Sequence, residues 1–121
     1  MSASHEITAS QRATMLECRT KIKELIYYLR KFLDEEDYSY IEKAYQTNEQ
    51  LKNNQEFLKI MAGYDDLNNN IVSIYSKWRE NGGNVDSMLH ARISNQVVYA
   101  ITRANLIATG LEFKLKRMRK G

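Results

Sequence analysis

The chain has 121 residues, 43% hydrophobic and 27% charged; that is one domain's length, too short for two cores and too apolar for a disordered chain. Its only cysteine, Cys18, excludes an internal disulfide and makes a reducing cytoplasm the expected compartment. The net charge of +3 is weak evidence for nucleic acid, but it divides as +3 over residues 1–33, −5 over 34–80 and +5 over 81–121, so the acidic middle can meet the basic ends, or those ends an anionic partner.

Proline is absent, which favours long helices. The opening MSASHEITAS lacks the basic start and apolar core of a signal peptide. Residues 1–7 read as a flexible start and 8–121 as a single helical domain. Thr8 and Gln11 fit a capping box. Met15, Cys18, Ile22, Leu25, Leu29 and Phe32 then recur in steps of three and four, widened by Ile26 and Leu33, which is the apolar face of one helix. The acidic run Asp34–Asp37 suits a helix start rather than an end, so the expected break lies near Leu33, with a restart at Asp37 or Ser39 and a second capping box from Ser39 to Glu42.

The second helix should run to about Ala62, with Gly63 as its left-handed terminator. Its face is thin: Ile41, Ala44, Leu51, Leu58 and Ala62, with Asn48 and Gln55 between them, as in a half-solvated helix. Asp65 or Asp66 can cap a third, shorter helix carrying Leu67, Ile71, Ile74 and Trp78. Asn81-Gly-Gly-Asn84 is the clearest loop. Asn84 or Asp86 then caps a fourth helix that can reach the C-terminus, with Gly110 as a candidate kink. The sum is an all-α antiparallel bundle of about four helices, with the first and the long last helix as its central pair.

The last helix carries two stripes. Leu89, Ile93, Val97, Ala100, Ala104, Ile107 and Leu111 form an apolar one, and within it Ala100, Ala104 and Ala108 make a ridge of methyl groups suited to close helix packing. Residues 87–111 hold only Arg92 and Arg103 as formal charges. So little charge suggests burial on several sides, most simply by a two-fold contact along the alanine ridge in a homo-oligomer. The second stripe is Arg92, Gln96, Tyr99 and Arg103. Guanidiniums grip phosphate, a phenol ring stacks on a base and an amide reads a base edge. This stripe is the candidate ligand-binding site. The plain alternative is a solvated surface, or polar groups satisfied at a subunit contact.

Other chemistry is sparse. His5 and His90 are the only histidines. Asp86 and His90 stand four apart and could pair, but no set of three or four metal ligands converges. No metal and no cofactor is expected. Gly82-Gly83 lacks the Lys-Ser/Thr of a phosphate loop, and Cys18 sits on a core face, so catalysis is not expected either. Eight tyrosines suit boundaries, first oligomer contacts and then base stacking. At the C-terminus Lys114, Lys116, Arg117, Arg119 and Lys120 answer the helix dipole or form a tail for an anionic partner with salt-dependent affinity. No run approaches the roughly 18–20 apolar residues of a membrane helix, because Arg103 interrupts the nearest one.

Thr8, Gln11, Met15, Arg19 and Ile26 in the first helix, with Ser87-Met88, Arg92-Ile93 and Val97-Val98-Tyr99-Ala100 in the last, resemble phage-encoded cyclic-nucleotide sponges that counter the CBASS defence. The resemblance covers under half the chain, with residues 34–84 as an insertion. It departs from the family at Ser94-Asn95 and at Ile101. It implies a small helical oligomer in the host cytoplasm that is not an enzyme and that holds cyclic oligonucleotides in pockets between its subunits. The functional expectation is therefore a non-catalytic binder that sequesters a phosphorylated, nucleotide-type signal. Two other classes stay open: a protein-interaction subunit, acting as inhibitor or scaffold on a host protein, and a basic helical nucleic-acid binder.

Overall fold

Met15, Cys18, Ile22, Leu25, Ile26, Leu29 and Phe32 all lie buried on one face of α1 (Ala9–Glu35), as their spacing requires. The structure, a computed structural model, describes residues 9–61 and 63–120, the side chains of 118–120 excepted. The expected Thr8 cap, the flexible residues 1–7 and the seam residue Ala62 lie outside the described residues. After α1 come α2 (Ser39–Lys52), α3 (Gln55–Ile60), α4 (Tyr64–Glu80) and α5 (Ser87–Lys120). The described residues thus form five helices, where the sequence reading has about four.

The acidic run breaks the chain as expected, though α1 continues to Glu35. Glu36 takes a left-handed φ of 55° and its N–H bonds the Phe32 carbonyl at 2.7 Å, which closes the helix. The Ser39–Glu42 capping box does not form. Asp37 instead accepts the Ser39 N–H at 2.9 Å, because a carboxylate two residues upstream makes the tighter turn. The expected second helix divides at Asn53–Asn54. The Asn54 side chain accepts the Phe57 N–H at 3.0 Å and starts α3 afresh. This interruption shifts the apolar face by one residue: Phe57 is buried, whereas Leu58 is 40% exposed.

Asn48 departs from the half-solvated reading. It is fully buried, bonds Asn68 on α4 at 2.9 Å, and receives the Tyr64 hydroxyl on both its backbone and side-chain oxygens. Burial pushes the Tyr64 hydroxyl pKa well up, with Glu49 adding to the shift. Gly63, at φ 89°, precedes α4, so neither Asp65 nor Asp66 is the cap; both lie in the first turn, where the dipole favours them. Leu67, Ile71 and Ile74 are buried and Trp78 partly so. Asp86 does cap α5, accepting the Leu89 N–H at 2.8 Å. The helix runs through Gly110 without a break, and Met61 packs over that glycine.

Neighbouring helices run antiparallel. Glu24 meets Thr47, Tyr45 stacks on Tyr75 at 3.7 Å between ring centres, Asp66 meets Arg103, and Arg19 meets Glu112. α5 packs along both α1 and α4. Its alanine ridge lies here, with Ala100 and Ala104 at 0% exposure and Ala108 at 8%. The expectation that this ridge joins two copies is corrected: two neighbours within one chain already enclose it. Methyl groups let α5 sit close enough to share one core with both. Ala104→Leu should therefore destabilise the fold by about 1–3 kcal/mol through overpacking, read as a lower urea midpoint.

Cys18 is buried, and burial, with a smaller push from Glu17, raises its thiol pKa from 9.0 to about 12. The unfolded chain thus releases this proton first, so the thiol's contribution to stability is complete below pH 9 and is lost as pH rises toward 12. Wild type should lose urea resistance over that range more steeply than Cys18→Ala, measured by fluorescence-detected unfolding.

Candidate functional site

Read as a cylinder, α5 divides into a buried face, a face toward α4 and an outer face. The stripe chosen from sequence lies on and beside the α4 side. Gln96 donates to the Ser73 hydroxyl at 3.2 Å, and Lys77 reaches the same oxygen at 2.8 Å. Arg103 pairs with Asp66 at 3.0 Å, donates to the Tyr99 hydroxyl and stacks on that ring at 4.8 Å. The bond to Tyr99, a larger effect than the nearby Asp66 charge, raises the Arg103 pKa further. Tyr99 is 52% exposed. Arg92 is exposed and has no ion pair or hydrogen bond from its side chain among the described residues.

The four residues therefore do share one edge of α5, but α4 engages half of them. What remains open there is the free guanidinium of Arg92 and one face of Tyr99. Gln96 Oε1, Arg103 Nε and Asn70 Nδ2 make no hydrogen bond within the chain despite being shielded. A ligand at this edge would have to exchange with Ser73 and Asp66 to use Gln96 and Arg103.

The basic tail is a continuation of α5. Lys114 donates to the Ile60 carbonyl at 2.9 Å and so ties α5 to the end of α3. Lys116 and Arg117 are exposed. The side chains of Arg119 and Lys120 lie outside the described residues. His90 does not pair with the Asp86 carboxylate. Its Nε2 meets Glu36 at 3.0 Å and its Nδ1 the Tyr38 hydroxyl at 2.7 Å, because the α1–α2 junction folds back over the start of α5. Tyr38 stacks on Trp78 there. Most of the tyrosines are thus spent on contacts inside the chain. Among the described residues no group of three His, Cys, Asp or Glu could hold a metal, and no helix is long and apolar enough to cross a membrane.

The outer face escaped the sequence reading. Met88, Val98, Leu106 and Phe113 are 67, 52, 66 and 63% exposed. Ala91, Asn95, Thr102 and Thr109 fill the positions between them, also exposed. At 100° per residue all eight fall on one stripe, opposite the buried face and without a charge. The low charge of residues 87–111 was the signal. It was legible as burial, but not as an uncovered side, because only the packed structure tells which face is which.

No family model, curated protein or solved structure matches this chain. The geometry alone then separates the two halves of the polar stripe. Ser73→Ala removes the acceptor shared by Gln96 and Lys77 and should cost about 1 kcal/mol, whereas Arg92→Ala should stay within about 0.5 kcal/mol of wild type, both measured by urea denaturation.

Proposed function

We propose that the protein acts by binding rather than by catalysis, as an interaction subunit whose working surface is the outer face of α5. Its first partner on that face is a second copy of the chain, lying antiparallel. The observation carrying this reading is the uncharged exposed stripe from Met88 to Phe113, about 37 Å long at the helical rise. Four large exposed apolar side chains on one uncharged helix face mark an interaction surface.

Charge supports both the occupant and its direction. The start of α5 lies in an acidic neighbourhood, with Asp86 as its cap and Glu36 held against His90. The other end carries Lys114, Lys116 and Arg117. Antiparallel two-fold pairing sets each basic end against the partner's acidic end, twice, whereas parallel pairing would set like against like. The same arrangement brings Met88 toward the partner's Phe113 and leaves Ala91 and Thr109 as small residues where the helices approach.

The sequence-stripe alternative, a phosphorylated nucleotide-type ligand, requires Arg103 and Gln96 to give up Asp66 and Ser73. The interaction reading requires no such exchange, and for that reason it is preferred. Sedimentation equilibrium should find a concentration-dependent dimer of the 14.2 kDa chain. Leu106→Glu should raise the dissociation constant at least about tenfold, roughly 1.4 kcal/mol, with helicity unchanged by circular dichroism. A wild-type chain that sediments as a monomer at every concentration would overturn the reading.

A further inference from the structure

We infer that the cavity where the start of α1, the end of α3 and the last turns of α5 meet is a binding site for a small phosphate-bearing molecule. The cavity is an open cleft of about 340 Å³, lined among the described residues by Gln11, Met15, Lys59, Ile60, Lys114 and Arg117. Three of these six side chains are cations and none is a carboxylate. Like charges gathered in one place disfavour the fold unless an anion answers them.

The cations come from two elements that only the tertiary fold brings together. Lys59 is placed by the restart of the chain at Asn54 and by the burial of Phe57, which aims the short α3 across the end of the bundle. Lys114 and Arg117 stand three apart on α5 and so share a face. Lys114 spends one N–H on the Ile60 carbonyl at 2.9 Å, which holds the ammonium in place with two protons still to donate. Lys59 and Arg117 are exposed and have no ion pair or hydrogen bond from their side chains among the described residues. A guanidinium fork beside two ammonium groups suits the several charged oxygens of a phosphate. Met15 and Ile60 supply an apolar wall for the rest of the molecule.

Another cavity, about 450 Å³ beside Tyr27 and Asn105, is also rich in cations, but carboxylates answer two of its three. Asp34 lines it, Lys31 pairs with Glu35 at 2.9 Å, and Lys23 shares Glu112 with Arg19. Near Lys59 the closest carboxylate in sequence, Glu56, does not line the smaller cavity. The phosphate is a monoester or diphosphate end, either on a soluble metabolite or on a lipid headgroup. Lys114 and Arg117 also belong to the basic end of α5 invoked for pairing, so pyrophosphate binding is measured on Leu106→Glu as well as on wild type, which separates the two proposals.

Isothermal titration calorimetry with inorganic pyrophosphate tests the site on the full chain. Arg117→Gln should weaken binding about tenfold and Lys59→Ala comparably, as for the loss of one charge-assisted contact each. Lys116→Ala, which removes an exposed cation outside the cavity, should change it less than twofold. No heat with pyrophosphate, or an equal loss with Lys116→Ala, overturns the proposal. Co-sedimentation with phosphatidylcholine vesicles carrying a phosphoinositide then identifies the source. Vesicle binding that pyrophosphate displaces assigns the phosphate to a headgroup, and pyrophosphate binding without vesicle binding assigns it to a soluble compound. Vesicle binding that pyrophosphate leaves untouched counts against the cavity.

Discussion

A single 34-residue helix must satisfy two neighbours at once, and the rest of the molecule follows from how it does so. α5 packs along α1 on one side and α4 on another. The three alanines at its inner edge leave room for both, and the large apolar groups Ile93, Val97, Ile107 and Leu111 fill the space between them. Each such side chain contributes about 1.5–3 kcal/mol on burial, so this one helix supplies a large part of the driving force. The polar side contacts are weaker constraints. Arg19 and Lys23 share Glu112; burial of that carboxyl opposes ionisation, but the two cations outweigh it and hold its pKa below the usual range. They align α1 and α5 without dominating the energy.

Where polar groups do enter the core, they do so as a closed set. Asn48 donates to Asn68 and accepts from Tyr64, which joins α2 to α4. An asparagine without such partners at full burial would cost more than it gives, and a leucine there would leave the phenol only the backbone carbonyl of residue 48. The set specifies which turn of α2 faces which turn of α4, a choice that the thin apolar face of α2 could not make alone.

Much of the fold was legible before any coordinates, and the misses have definite causes. The steps of three and four in α1 and α5 name their buried residues correctly, because both helices are long and each has an unambiguous apolar side. α2 and α3 were read as one helix because nothing in Asn53-Asn54 forbids helix. Only the Asn54 side chain's bond to the Phe57 N–H ends it, and that bond depends on where Phe57 can be buried. The same local event hid Lys59 from any reading of the basic tail, since Lys59 lies 55 residues before Lys114 and meets it only through tertiary packing. The polar stripe of α5 was found as a stripe, but spacing along one helix carries no record of Asp66 and Ser73 on another. Likewise the alanine ridge announces a close neighbour without saying whether that neighbour belongs to the same chain.

The pairing of α1 with α5 also has a bearing on how the molecule comes to exist. Met15, Ile22 and Leu29 find their cover in residues some seventy to a hundred positions later. During synthesis, then, α2 can cover one part of α1 early, but the part that faces α5 waits until α5 has formed. Contacts of such sequence separation slow folding and expose sticky surface in the interval. The earlier helices can assemble among themselves meanwhile, but the domain becomes a cooperative whole only once α5 packs against both α1 and α4.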